Sequence, residues 1–164
     1  MVGEKTSAYL RFARDKTPVF TTERTHFELG KAEIYMDGKD VTIIACGILV
    51  FQVLLTAKEL EEEGVEATVI NCHTIKPLDG KTIKNAAKKT GAVVTVEEHQ
   101  ITGGLGGAVS EYLSENYPVP IKRVGVQDTF GESGTPDELL EKFGLTYIDI
   151  VESVKNILRL KHKK

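Results

Sequence analysis

The stretch VVTVEEHQITGGLGGAVSE occupies residues Val93–Glu111 and contains one complete strand-to-helix unit. It begins with an unbroken apolar run, Val93–Val96, which is typical of a strand covered on both faces of a sheet. The glycine cluster Gly103–Gly107 follows and leads into a helical pattern that includes Val109 and Leu113. A strand, a glycine-marked turn and a helix predict one unit of a parallel α/β sheet.

Similar units lie on both sides of this stretch. Apolar runs predict strands at Val41–Ala45, Ala67–Ile70 and Ile121–Val126. The sequence TPDE at Thr135–Glu138 predicts a helix start, with a capping box and proline at the first helical position. Further helices are predicted at 50–60, 81–90 and 147–160. This alternation predicts a three-layer α/β/α sandwich with a mostly parallel central sheet over residues 39–164.

Residues 1–38 differ in pattern from the rest of the chain. Ala8–Phe12 and Pro18–Thr21 have the composition of a strand and its exit. Glu23–Met36 is polar, shows no helical period and ends at a turn formed by Asp37 and Gly38. We interpret residues 1–38 as the end of a preceding domain followed by a linker.

Composition excludes several classes of function. The 164 residues are 41% hydrophobic and 27% charged, with a formal net charge of -3. This balance gives no electrostatic reason to expect nucleic acid or an anionic membrane as a partner. No apolar run approaches the roughly 20 residues that a membrane-spanning helix needs. Cys46 and Cys72 form no paired motif, which favours reduced, buried thiols and a cytoplasmic protein.

The glycine cluster allows two interpretations. A glycine-rich turn before a helix resembles a dinucleotide-binding fingerprint, because the helix amides can bind a pyrophosphate. However, Val109 stands at the third small position, and no acidic residue ends the next strand. A tight turn with close packing of helix and sheet is therefore the favoured interpretation.

Polar residues at predicted strand ends are candidates for chemistry. Glu97, Glu98 and His99 follow a buried strand, where α/β sheets place their sites. A carboxylate beside an imidazole suits general acid–base catalysis, but adjacent strand residues point to opposite faces, so the two glutamates do not form a dyad. We favour a structural or interface role. Cys46, Cys72, His73 and His99 lack the spacing of a zinc site.

Four segments together resemble transketolase. They cover nearly the whole chain in the expected order: YLRFARDKTPV (Tyr9–Val19), HTIKPLD (His73–Asp79), VVTVEEHQITGGLGGAVSE and FGESGTPDELLEKFGL (Phe130–Leu145). Relatives such as 1-deoxyxylulose-5-phosphate synthase and the beta subunit of 2-oxoacid dehydrogenases share the EEH and GGLGG elements. The other three segments favour transketolase.

The resemblance implies an enzyme that transfers a two-carbon ketol unit between sugar phosphates with thiamine diphosphate and Mg2+ (or Ca2+). In that family two upstream domains hold the cofactor across a homodimer interface. This chain resembles the last strand of the pyrimidine-binding domain and the whole C-terminal domain. The family's metal-anchoring Gly-Asp-Gly motif is absent from the sequence. The resemblance thus implies a structural and dimerisation role, with no catalysis by this chain alone.

One pair of site residues follows from the resemblance. Transketolases bind the sugar phosphate with an arginine at the end of the strand that closes the pyrimidine domain. Arg14 aligns with it and Arg11 is the alternate, although Ala13 stands where serine is common. Two other functions stay open at this point. One is a ligand-binding or regulatory module that acts at the glycine turn, and the other is the partner-docking domain of a 2-oxoacid dehydrogenase beta subunit.

Overall fold

In a computed structural model of the chain, residues 7–13 and 16–161 are described. They form five strands and five helices, which alternate from the second strand to the fourth helix in the predicted order and end with a fifth helix. The elements are β1 (Glu33–Met36), β2 (Val41–Ala45), α1 (Leu49–Glu62), β3 (Ala67–Asn71), α2 (Gly80–Thr90), β4 (Val93–Gln100), α3 (Leu105–Asn116), β5 (Ile121–Val126), α4 (Pro136–Lys142) and α5 (Tyr147–Lys161).

The strands form a single sheet in the order β1-β3-β2-β4-β5. The pairs β2–β3, β2–β4 and β4–β5 are parallel, and β1 joins the edge of β3 in the antiparallel direction. Because β2 and β4 are neighbours while β3 lies on the other side of β2, the chain order reverses between β2 and β4. The carboxyl ends of these two strands therefore form the topological switch point of the sheet.

Two apolar clusters place the helices on opposite faces of the sheet. One cluster joins Val50, Val53 and Leu60 of α1 to Ile150 of α5. The other joins Ile83, Ala86 and Ala87 of α2 to Leu105, Val109 and Leu113 of α3. Because both faces are covered, β2 is buried along its whole length. The three-layer α/β/α sandwich with a mostly parallel sheet is thus confirmed.

The structure confirms two helix ends that the sequence predicted. The Thr135 backbone nitrogen and hydroxyl both donate to Oε2 of Glu138, at 2.9 and 2.8 Å, which completes the capping box of α4. Gly91 ends α2 with φ 69°, in the left-handed region that favours glycine. These signals fix the helix ends independently of the core.

The structure adds one strand to the N-terminal region, and the assignment of residues 1–38 to the end of a preceding domain and a linker stays a prediction. Glu23–Met36 is not a linker without elements, because Glu33 pairs with Asn71 and Ile34 with Ile70 in the antiparallel ladder of β1. This edge strand is only four residues long and partly exposed, so it lacks a buried apolar run. Residues 8–12 pair with no strand among the described residues, so the strand predicted there as the end of a preceding domain stays a prediction. Among the described residues, no helix is long and apolar enough to cross a membrane.

Candidate functional site

The switch point of the sheet is filled by a side chain of the chain itself. Glu97 lies in the second half of β4 and has only 2% of its surface exposed. Its Oε2 accepts a hydrogen bond from the backbone nitrogen of Leu105 and its Oε1 one from that of Gly106, both at 2.7 Å. These amides are the first two of α3, so the carboxylate satisfies helix N–H groups that have no partner within the helix.

The glycines of the GGLGG turn make this contact possible. A Cβ on Gly104 would collide with the carboxylate of Glu97. A Cβ on Gly106 would lie 2.8 Å from Oγ1 of Thr95, closer than side chains approach. Gly103 has φ 79°, which non-glycine residues rarely adopt. The favoured interpretation, a tight turn with close packing of helix and sheet, is confirmed.

The dinucleotide interpretation of the turn is excluded on geometry. A pyrophosphate at a helix N-terminus needs the first backbone amides as donors. At α3 the amides of Leu105 and Gly106 are already bound to Glu97, and a second anion would be repelled by that carboxylate. The described residues of this turn therefore do not fit a diphosphate.

Glu97 and Glu98 have different environments, as the strand geometry predicts. β4 continues to Gln100, and the side chain of Glu98 is 49% exposed whereas that of Glu97 is buried. The imidazole of His99 is close to both the backbone and the buried carboxylate. Its Nδ1 is 2.7 Å from the backbone oxygen of Gln100 and 3.9 Å from Oε2 of Glu97. Because a carbonyl oxygen can only accept, Nδ1 carries the proton. The two glutamates do not form a dyad.

Arg11 lies against the same edge of the sheet. Its Nη1 donates to the backbone oxygen of Glu98 at 2.9 Å, and its Nη2 is 3.8 Å from the Glu98 carboxylate. More than half of the Arg11 side chain stays exposed. The N-terminal segment is thus attached to the carboxyl end of β4 through this guanidinium. Arg14, the preferred phosphate-binding candidate, lies outside the described residues.

The cysteines are reduced and follow neighbouring strands. Burial raises the pKa of both Cys46 and Cys72 to about 12, and for Cys46 the charge of Glu97 adds to this effect. The imidazole of His73, the residue after Cys72, stacks on the ring of Phe27, with ring centroids 4.4 Å apart. Within the described part of the chain, no three histidine, cysteine or carboxylate side chains are close enough to hold a metal ion.

Sequence reasoning missed the role of Asp79. Its Oδ1 accepts from the backbone nitrogen of Thr82, which caps α2, while Oδ2 accepts from the hydroxyl of Thr82 and from the backbone nitrogen of Ala32. Burial alone would raise the pKa of this carboxyl, but these hydrogen bonds and the charge of Lys31 lower it. An aspartate directly before a helical pattern is the signal for a cap, and Asp79 also holds the segment before β1.

The fold is an α/β domain. The polar side chain at its switch point, Glu97, binds the start of α3 and thus has a structural role. The sequence model of the family described as Transketolase, C-terminal domain matches residues 30–150. The chain belongs to this family.

Similar proteins include enzymes and subunits of enzymes. Over 154 residues the chain is 47% identical to the 6-deoxy-6-sulfo-D-fructose transketolase subunit of a Clostridium species, covering 94% of the chain and 48% of that relative. It is 46% identical over 128 residues to the 1-deoxy-D-xylulose-5-phosphate synthase of Trichormus variabilis, covering 77% of the chain and 20% of the synthase.

A solved structure is similar in both sequence and fold. It is described as a split gene transketolase, inactive beta4 tetramer, and superposes with a TM-score of 0.87 at 49% identity. The match covers 90% of the chain and 48% of the solved chain. The chain therefore spans about half the length of these transketolase subunits.

Proposed function

We propose that the chain is the C-terminal part of a transketolase, which transfers a two-carbon ketol unit between sugar phosphates. The family uses thiamine diphosphate, which supplies the electron sink for the reaction. The observation that carries the proposal for this chain is the filled switch point: Glu97 takes the helix amides that a diphosphate would need. The domain thus acts as a rigid support, and the cofactor with Mg2+ (or Ca2+) is held by the preceding domains.

The N-terminal segment supports a junction with those domains. Tyr9 and Phe12 are 88% and 77% exposed, although both are large and apolar. We propose that residues 1–38 contain the last strand of the pyrimidine-binding domain and a linker, and that residues 39–164 are the C-terminal domain, with β1 joining its sheet. The missing partner strands would then cover the exposed rings. The partner is a thiamine-binding subunit or domain pair, in a cytoplasmic enzyme with a homodimeric core.

Two arginines are proposed to contact the substrate. Arginine binds phosphate with two parallel hydrogen bonds, and a sulfonate offers similar oxygens. Because Arg11 already donates to the backbone of Glu98, Arg14 is proposed as the principal phosphate ligand and Arg11 as the alternate. One relative is named for a sulfo-sugar, so a sulfonated sugar is a substrate to test beside the phosphates of the pentose phosphate pathway.

The test is ketol transfer assayed with thiamine diphosphate and magnesium. The chain is assayed alone and then mixed with the cofactor-binding half of a split transketolase. We expect turnover only in the mixture. Turnover by the chain alone would overturn the proposal, because it requires a cofactor site of its own. No turnover in either sample, with folding and complex formation verified, would favour the ligand-binding or partner-docking function.

A further inference from the structure

Two free thiols lie side by side where β2 and β3 end. The parallel ladder between these strands pairs Ala45 with Asn71. It extends one residue further, because the backbone nitrogen of Cys72 donates to the backbone oxygen of Ala45 at 2.8 Å. Cys46 and Cys72 each directly follow one of the two paired residues. They therefore occupy neighbouring positions on adjacent strands.

Both thiol side chains lie on the same face of the sheet. Cys72 is part of the apolar cluster that includes α2 and α3, and Cys46 packs against that same cluster. Ala45 belongs to the cluster on the opposite face, as the alternation of side chains along a strand requires. Cys46 keeps the pairing of a strand residue, because its backbone nitrogen donates to the backbone oxygen of Val96 on β4 at 3.4 Å. The two thiols are thus cross-strand neighbours.

The spacing of adjacent strands suits a disulfide bond between them. Neighbouring strands lie about 4.8 Å apart, within the roughly 4.4–6.8 Å that separates the Cα atoms of bridged cysteines. The Cys72 thiol donates to the backbone oxygen of Thr74, with Sγ 3.4 Å from that oxygen. Because a thiol is a weak donor, turning the side chain of Cys72 away from this contact costs little. The pair can therefore be bridged within the existing pairing of β2 and β3.

The surroundings of the pair favour uncharged forms of sulfur. Burial raises the pKa of both thiols to about 12, so a thiolate is destabilised there. A disulfide carries no charge, and the apolar cluster accommodates it as it does a thiol. Cys72 is fully buried, whereas Cys46 is partly exposed. An oxidant in solution therefore reaches Cys46 first.

We propose that Cys46 and Cys72 are a redox pair, which a low-molecular-weight disulfide oxidises to a disulfide bond between β2 and β3. The Cys46 thiolate attacks one sulfur of the oxidant, which forms a mixed disulfide and releases one thiolate. The Cys72 thiolate then attacks the Cys46 sulfur, and the second half of the oxidant leaves as a thiolate. The two cysteines lose two electrons, the oxidant gains them, and both protons end on the released thiols. The proposal is independent of ketol transfer, because neither arginine takes part.

The test is oxidation of the full chain by bis(2-hydroxyethyl) disulfide at about pH 8, followed by mass spectrometry. We expect a monomeric product about 2 Da lighter than the reduced chain, because two hydrogen atoms are lost. Peptide mapping without reduction should find the peptides of Cys46 and Cys72 joined. The circular dichroism spectrum should show that the fold is kept, and dithiothreitol should restore both thiols.

Two matched variants separate the steps of the reaction. Cys72→Ser removes the second thiol at nearly constant shape, so this variant should stop at the mixed disulfide on Cys46 and carry one added hydroxyethylthio group. Cys46→Ser removes the partly exposed thiol, and its buried Cys72 should stay reduced under the same conditions.

Three outcomes would overturn the proposal. If the unmodified chain also stopped at the mixed disulfide, the two sulfurs would not meet in the folded protein. Oxidation of Cys72 in the Cys46→Ser variant, as fast as oxidation of the unmodified chain, would contradict the entry of the oxidant at Cys46. A disulfide bond that forms in the urea-unfolded chain but not in the folded chain would show that the fold keeps the two thiols apart.

Discussion

The carboxylate of Glu97 accepts a hydrogen bond at 2.7 Å from the backbone nitrogen of Leu105, the first residue of α3. In many α/β proteins this position, a helix N-terminus at the switch point, binds an anionic ligand. Here the anion is a side chain from the neighbouring strand. The contact joins β4 to α3 within the core and converts a usual ligand site into a structural one.

Glu97→Ala should strongly destabilise the domain. The change leaves two buried amides, of Leu105 and Gly106, without acceptors and creates a cavity, so we expect a loss of about 3–5 kcal/mol in the free energy of unfolding. Glu97→Gln keeps one acceptor but directs an amide N–H group at a backbone donor, at a cost of about 1–3 kcal/mol. Urea denaturation followed by circular dichroism measures both.

The matched control for these variants is Glu98→Gln. Its side chain is half exposed, so the free energy of unfolding should change by less than about 0.5 kcal/mol. If Glu97→Ala were as mild as this control, the carboxylate would not be needed to satisfy the start of α3.

Two glycines of the same turn should respond in opposite directions. Gly104→Ala places a methyl group against the Glu97 carboxylate, and we expect a loss of about 1–3 kcal/mol. Gly107 lies in the first turn of α3 with open space around its Cα, so Gly107→Ala should stabilise by about 0.5–1 kcal/mol through helix propensity. Thermal denaturation compares them, and equal effects would contradict the structure.

The order of β2 to α5 was predictable from sequence because buried parallel strands give unbroken apolar runs and glycines mark the helix ends. The position of Glu97 was not. Val93–Val96 is buried on both faces, so alternation gives no sign of which of the two following glutamates turns inward. That choice depends on where α3 begins in space. β1 was not predicted, because a short, half-exposed edge strand is defined by its pairing to β3 and not by its own composition.

Asp79 should contribute to the pH dependence of stability. Its pKa is lowered in the folded protein below the ordinary value of 3.8. The stabilisation is therefore complete above that value and is lost as the pH falls through the folded pKa. Asp79→Asn should reduce the free energy of unfolding by about 1–2 kcal/mol at pH 7, and the difference from the unmodified chain should shrink below pH 3.8.

Urea denaturation at a series of pH values measures this difference. The control is Asp37→Asn, because Asp37 forms an exposed ion pair with Lys89 and should change stability by less than about 0.5 kcal/mol at any pH. A difference for Asp79→Asn that stays constant down to pH 2 would contradict the lowered pKa.

Both cysteines should react slowly with alkylating reagents in the folded protein. Burial raises the pKa of each thiol to about 12, so at pH 8 on the order of one thiol in ten thousand is a thiolate. Cys46 is partly accessible and should react before the fully buried Cys72. Mass spectrometry after iodoacetamide treatment measures the order, with the urea-unfolded chain as control. Rapid modification of Cys72 in the folded chain would contradict its burial.

Arg14 and Arg11 should differ in their effect on ketol transfer by the reconstituted enzyme. If Arg14 binds the substrate phosphate, Arg14→Ala should raise KM for phosphorylated substrates on the order of 10–100-fold, because charge-assisted hydrogen bonds are lost. An unphosphorylated acceptor should be used as before, and Arg14→Lys should recover only part of the loss, since lysine lacks the planar fork. Arg11→Ala should raise this KM less, because one guanidinium nitrogen of Arg11 already donates to Glu98.

A larger effect of Arg11→Ala would reverse the two roles. Equal changes for phosphorylated and unphosphorylated substrates would remove both arginines from phosphate binding and leave them as contacts between domains.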